Sequence, residues 1–139
     1  MRLEPLYQVR FTTPERWSVQ LAVSSGSEAQ SFLIAEGQCE GRVAGRFRAA
    51  NFPRTRDDGA LLPDFRGVVE TDDGAALLFT LRGYFRPATR ELVGSMTHVT
   101  DDERYARLND AVCAVAGEVK PGEVVLEVAE LVWEPLETA

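Results

Sequence analysis

The sequence has a single histidine, His98, and a single lysine, Lys120. One imidazole excludes His-rich zinc sites and any mechanism that needs two imidazoles. Its two cysteines, Cys39 and Cys113, are 74 positions apart and match no metal or redox spacing. They read as buried free thiols in a reduced compartment. Positive charge is scarce, with 15 basic against 22 acidic residues and a net charge of −7. That balance excludes a nucleic-acid or anionic-membrane partner, both of which select a basic surface. No window approaches the roughly 18 apolar residues of a membrane span. The opening "MRLEPLYQVRF" carries charges and a proline where a signal peptide has its apolar segment. The expectation is a cytoplasmic protein. Dinucleotide, P-loop, haem and flavin signals are all missing, so neither a cofactor nor a metal is expected.

What the sequence does contain is alternation. "RWSVQLAV" sets Trp17, Val19, Leu21 and Val23 on one face, and "RVAGRFRA" sets Arg42, Arg46 and Arg48 against Val43, Gly45 and Phe47. "AVCAVAGEV" and "EVVLEVAELVW" flank "KPGE", a Pro-Gly turn signal. These runs are bounded by "SSGSEAQ", "FPRTRDDG" and two DDG phrases, and they make about nine strands. Short strands at this spacing predict an all-β fold of about eight to ten strands, either a sandwich or an antiparallel barrel, in one domain over 1–139. One short helix is predicted near 101–109 in "THVTDDERYARLND". There Thr100 and Glu103 have capping-box spacing, and Tyr105 and Leu108 share the inward face. The segments Val112–Val119 and Val124–Trp133 are apolar on both faces, so either the helix and termini cover them or a second copy does. A homodimer is expected.

The phrase DDGA occurs twice, at 57–60 and 72–75. Asp72, Asp73 and Gly74 suit a three-residue hairpin loop, a type I turn closed by glycine at positive φ. Residues whose numbers sum to 146 then face each other. Phe65, Gly67 and Val69 lie with Leu77, Phe79 and Leu81 on a core face, and Asp64 stands opposite Arg82, Arg66 opposite Thr80. The aspartates are therefore turn residues. They lack the ligand spacing of a calcium loop and the enclosure that raises a catalytic carboxyl.

The polar face of this hairpin carries Asp64, Arg66, Arg82, Tyr84 and Arg86. Turned outward, it is a solvated surface with an Asp64–Arg82 ion pair. Turned inward, it lines a cavity in which Arg82 and Tyr84 hold an oxyanion and Asp64 moves a proton. His98 stands just before the helix, at a junction that opens on a cavity mouth if it is not a structural histidine. The Arg42, Arg46 and Arg48 row reads either as an anion site or as a charged edge strand.

"LEPLYQVRF", "GQCEGRVAGRF", "DDGALLPDFRGVVETDDGAALLFTLRG" and "DDERYARLNDAVCAVAGEV" together resemble the bacterial family catalogued as domain of unknown function 3237. The resemblance implies a small antiparallel barrel that encloses a cavity, similar to the allene oxide cyclases, with no established activity. Members tend to carry Gly-Gly-x-Asp-Trp where this sequence reads "AANFP", so Asn51 and Phe52 stand in place of an acid and an indole. Three functions follow. The first is a cofactor-free lyase, isomerase or cyclase acting on a small hydrophobic or carboxylated metabolite, with Asp64, Arg82, Tyr84 and His98 as catalytic candidates and Arg46, Asn51, Phe52 and Arg66 as ligand-binding ones. The second is a non-catalytic binder using the same cavity. The third is an interaction protein whose barrel is filled by its own side chains.

Overall fold

The computed structural model describes residues 1–24 and 26–136, with the side chains of Val23 and Ser27 outside that set. Ten strands form one antiparallel sheet: β1 (Arg2–Val23), β2 (Gly26–Gly41), β3 (Gly45–Asn51), β4 (Arg54–Thr55), β5 (Leu61–Leu62), β6 (Asp64–Thr71), β7 (Ala76–Arg86), β8 (Glu91–Val99), β9 (Val112–Lys120) and β10 (Glu123–Val132). The order is β4-β5-β7-β6-β3-β2-β1-β10-β9-β8, and β7 pairs again with β8. Eight strands thus close into a barrel, and the small β4–β5 hairpin joins its outside through Leu61 and Phe85. Closure removes the exposed edges an open sheet would leave.

Inward side chains fill most of the barrel. Val9, Phe47, Val69, Leu81 and Met96, from five different strands, are buried with Leu126 and Val128 of β10. Phe47 stacks between Phe11 and Phe79, with ring centroids 5.1 and 5.0 Å away. Gly37 lies between Phe11 and Phe47 in the cross-strand row. A Cβ on Gly37 would fall 1.9 Å from the Arg10 carbonyl oxygen and 2.6 Å from Phe11 Cα, so only bare backbone fits there.

The hairpin from β6 to β7 has the expected register: Asp64 faces Arg82, Phe65 faces Leu81 and Glu70 faces Ala76. Gly74 takes φ +93°, and the Thr71 and Gly74 N–H groups donate to the Ala75 and Thr71 carbonyls. The first DDG repeats this arrangement. Gly59 takes φ +89°, and the Arg56 and Gly59 N–H groups donate to the Ala60 and Arg56 carbonyls. Both phrases are the same turn. Pro121 and Gly122 form the tight link between β9 and β10, where Lys120 faces Glu123.

The helix spans Glu103–Asp110 and is a 3₁₀ helix. Its cap is Asp102, which accepts from the Arg104 N–H, two residues later than the Thr100–Glu103 box predicts. The Thr100 hydroxyl instead donates to the Ala76 carbonyl, tying the helix entry to β7. Leu108 is buried, and the Tyr105 hydroxyl donates to Asp73 at 2.7 Å, which clamps the helix onto the second DDG turn. The helix packs beside β8 and leaves the outer faces of β9 and β10 uncovered, with Val112, Leu131 and Trp133 exposed. "SSGSEAQ", read as a loop, is largely strand, because β2 begins at Gly26.

Beyond the barrel rim β1 and β2 continue as a two-stranded arm. Past Phe11, β1 has no pairing with β10, and β2 pairs with β3 only from Leu33 onward. A bulge separates the two parts: Thr12 faces Glu36 but Glu15 faces Ile34, so Thr13 and Pro14 oppose one residue. Proline belongs at such a position because a regular ladder has no place for its missing N–H. The extra residue shifts the alternation. Tyr7, Val9 and Phe11 point inward before it, whereas Arg16 and Ser18 do so after it. Trp17, Val19 and Leu21 consequently share one face as the alternation predicts, but that face is outward and 53, 61 and 52 % exposed. The Val23 side chain lies outside the described residues.

Candidate functional site

The barrel is filled at one end and hollow at the other. Above Phe11 lies a cavity of about 300 Å³ that opens at the rim where the arm begins. Its floor and walls are Phe11, Leu33, Ala35 and Phe65, continued by Phe85, Leu92, Val119 and Val124. Pro53, Leu61 and Pro63, from the segment carrying the outer hairpin, complete one side of the mouth. Polar groups gather at the opening: Thr13, Arg16, Ser18, Ser31, Asn51 and Thr55. Apolar walls with a few convergent polar groups are the usual make-up of a small-molecule site.

Two features position the polar rim. The Pro14 bulge turns Arg16 and Ser18 toward the mouth, where they face Leu33 and Ser31 across the arm, and the two serine hydroxyls lie 2.9 Å apart. Asn51 ends β3 and is buried, 8 % exposed. Its Oδ1 accepts the Asp64 N–H at 3.0 Å, which fixes the amide orientation because only the oxygen can accept. The Asn51 Nδ2 donor has no partner among the described residues and belongs to a side chain that lines the cavity.

Of the residues singled out in the sequence, only Asn51 lines this cavity. Asp64, Arg66, Arg82 and Tyr84 stand on the outside of the barrel, because the Phe65–Gly67–Val69 face turns inward to the core. Asp64, Arg82 and Tyr84 do come together there. They line a groove on the outer surface with Arg54 and Leu62, and Arg82 Nε sits 3.3 Å from Asp64 Oδ1. This is the solvated ion-pair arrangement, and the cavity-lining role of these three is set aside. Arg46 also points outward and pairs with Glu36, as does Arg48, at 3.8 and 3.5 Å. Arg42 pairs with Glu4 at 3.7 Å. Strand β3 lies between β2 and β6, so this row is neither a cavity wall nor a protected edge. Phe52 is half exposed on the outside, its ring 5.0 Å from Phe32, and with Phe32 and Trp17 it lines an outer groove and not the barrel cavity.

His98 is inside the barrel but at the filled end, 1 % exposed, and does not reach the mouth. Its Nε2 lies 2.8 Å from the Tyr7 hydroxyl, which donates to Met96 Sδ at 3.0 Å. Nδ1 has no partner among the described residues. An orphan lone pair costs less than an orphan N–H, so the proton belongs on Nε2 and the chain runs His98 to Tyr7 to Met96. Burial holds the imidazole pKa down at about 4, so the ring is neutral. Burial also pushes the Cys39 and Cys113 thiols up to about 12 and about 11, and raises Tyr7 well above its usual value. These thiols are inert core groups. Among the described residues no three His, Cys, Asp or Glu side chains are grouped to hold a metal ion.

The pattern of the family described as protein of unknown function (DUF3237) matches residues 1–97, well over half of the sequence. The chain belongs to that family. The match ends within β8, so the helix, β9 and β10 lie beyond it. No curated protein matches the chain. A β-barrel-like protein of Acinetobacter baumannii is similar in structure, with 20 % identity, a TM-score of 0.78, and 93 % of this chain and 94 % of that one covered. A conserved protein of unknown function from Rhodopseudomonas palustris has 16 % identity and a TM-score of 0.81, covering 94 % and 97 %. An enzyme from Penicillium herquei has 19 % identity and a TM-score of 0.65, covering 93 % and 94 %. These likenesses extend the DUF3237 barrel beyond residue 97 as a fold. No helix among the described residues is long and apolar enough to cross a membrane.

The sequence reading passed over Thr13, Arg16, Ser18 and Ser31. The signal was Pro14: a proline within an alternating strand marks a bulge, and a bulge exchanges the two faces beyond it.

Proposed function

We propose that this DUF3237 protein binds a small molecule at the hollow end of its barrel and performs no acid–base chemistry there. One observation carries the reading: among the described residues, the cavity lining holds no Asp, Glu, His, Cys, Tyr or Lys side chain. A lyase or isomerase that moves a proton needs such a group within hydrogen-bond reach of the reacting atom. Asp64 and Tyr84 are on the far side of the barrel wall, and His98 lies beneath the packed layers. Binding needs only the walls and the rim. In this reading the protein works in the cytoplasm, with both cysteines reduced, as a second copy covers the exposed Leu131 and Trp133.

Thermal shift against a library of small apolar and amphipathic compounds tests the reading, with Ser31→Trp as the plugged control. Ser31 is at the mouth and away from the packed layers. Stabilising compounds are expected for the wild type, and the plug should abolish their effect while the free protein melts within a few degrees of wild type. Compounds that stabilise both proteins equally would place binding elsewhere and refute it. Sedimentation of the purified chain checks the second copy, and a monomer at high concentration removes it.

A further inference from the structure

The cavity has an electrical sign opposite to that of the molecule. The chain carries a net −7. The mouth carries one ionisable side chain, Arg16, and it is a cation. Ten of the fourteen arginines lie within ion-pair distance of a carboxylate. Arg16 has no acidic partner among the described residues, and its place on the inner face is fixed by the Pro14 bulge. The other polar side chains in the lining, among the described residues, are hydroxyls and one amide. The Asn51 amide, its oxygen already committed to the Asp64 N–H, offers N–H groups only. Ser18 and Ser31 are able to donate as well. Below them every wall is apolar.

Resting on the binding reading above, we propose that the ligand is a small apolar acid. Its hydrocarbon body sits between Phe11, Phe65 and Leu92, and its single carboxylate is held at the rim by Arg16 with the Asn51 amide. A guanidinium and a carboxylate form the strongest ordinary hydrogen-bonded pair, and the planar fork selects a carboxylate over a neutral oxygen. A neutral apolar ligand would itself offer no acceptor to Arg16 or to the Asn51 amide. One cation without a second suits a monoanion better than a doubly charged phosphate ester.

Calorimetric titration with octanoate and with octanol, matched in length and differing in charge, tests this. The wild type is expected to prefer octanoate by roughly tenfold, an advantage of the size a charged hydrogen bond gives. Salt should weaken octanoate binding and leave octanol binding unchanged, since only the first has a partly exposed charge pair to screen. Arg16→Gln should remove the preference by lowering the octanoate affinity alone. Asn51→Asp, which keeps an acceptor for the Asp64 N–H and places an anion in the wall, should depress octanoate binding further while octanol still binds. Equal affinity of the wild type for the two ligands, or a preference that survives Arg16→Gln, overturns the carboxylate assignment and leaves the cavity as a binding site. If neither ligand binds the folded wild type, this inference falls, and the library screen with its Ser31→Trp control decides the broader reading separately.

Discussion

Acidification should destabilise this protein through one side chain, because His98 is its only histidine. The folded imidazole titrates at about 4, against 6.5 for the exposed group. The unfolded chain takes up a proton near the upper value, and the native state resists until the lower one. Between the two the unfolded state binds more protons, so stability falls as pH falls. The whole shift corresponds to about 3 kcal/mol, of which about 2 kcal/mol is lost by about pH 5. The cause is structural: a protonated ring would gain a second N–H at Nδ1, where no acceptor exists, inside a layer that excludes water. Carboxylates do not obscure this window. Asp58, Asp73 and Asp102 are held below their ordinary value by their hydrogen-bonding partners, Asp58 at about 2, so their contributions are lost only as pH falls beneath 3.8. Urea unfolding followed by far-ultraviolet circular dichroism at several pH values between about 7 and about 5 measures the slope. His98→Phe supplies the control. It removes the titrating group and leaves the Tyr7 hydroxyl to donate to Met96, so its slope should be flat whatever its absolute stability. An equal slope in both proteins would refute the assignment, as would a wild type insensitive to pH in this range.

Two other expectations follow from the geometry. Gly37→Ala should cost at least about 3 kcal/mol or abolish soluble expression, since its methyl would collide with the β1 backbone; a melting temperature within a few degrees of wild type would contradict the close approach described. Asp64→Ala and Arg82→Ala should each change stability by no more than about 1 kcal/mol and leave ligand binding at the mouth untouched, because the pair stands on the outer surface; loss of binding in either would return these residues to the site.

Much of the fold was legible from residues alone because strand chemistry is local. The two DDG turns, the register between Asp64 and Arg82, and the core face through Phe65 and Phe79 depend on a few consecutive residues and a period of two. The direction of a face is not local. The apolar Phe65–Val69 row marks a core side, but whether the polar row of Asp64 and Arg82 meets solvent or lines an enclosed space is decided only by barrel closure through β7 and β8. The site was largely illegible for the same reason. Arg16 reads as the polar side of an apolar strand, and one inserted proline upstream converts that side into the cavity wall. The helix cap was displaced for a simpler cause: Thr100, which donates to the Ala76 carbonyl, accepts the Asp102 N–H before the helix begins, and the Asp102 carboxylate then takes the Arg104 N–H.

The division of the barrel into a filled end and a hollow end separates two demands that usually compete. The layers from Phe47 to His98 supply cooperative stability and meet the cavity at its floor, where Phe47 stacks on Phe11, while the mouth above is lined by strand ends and by an arm that leaves the barrel wall. On the proposed binding role, substitutions at Arg16, Ser18, Ser31 or Thr55 should change what is recognised while drawing little on the free energy that keeps the chain folded. A scaffold so partitioned is free to exchange its ligand while its architecture stays fixed.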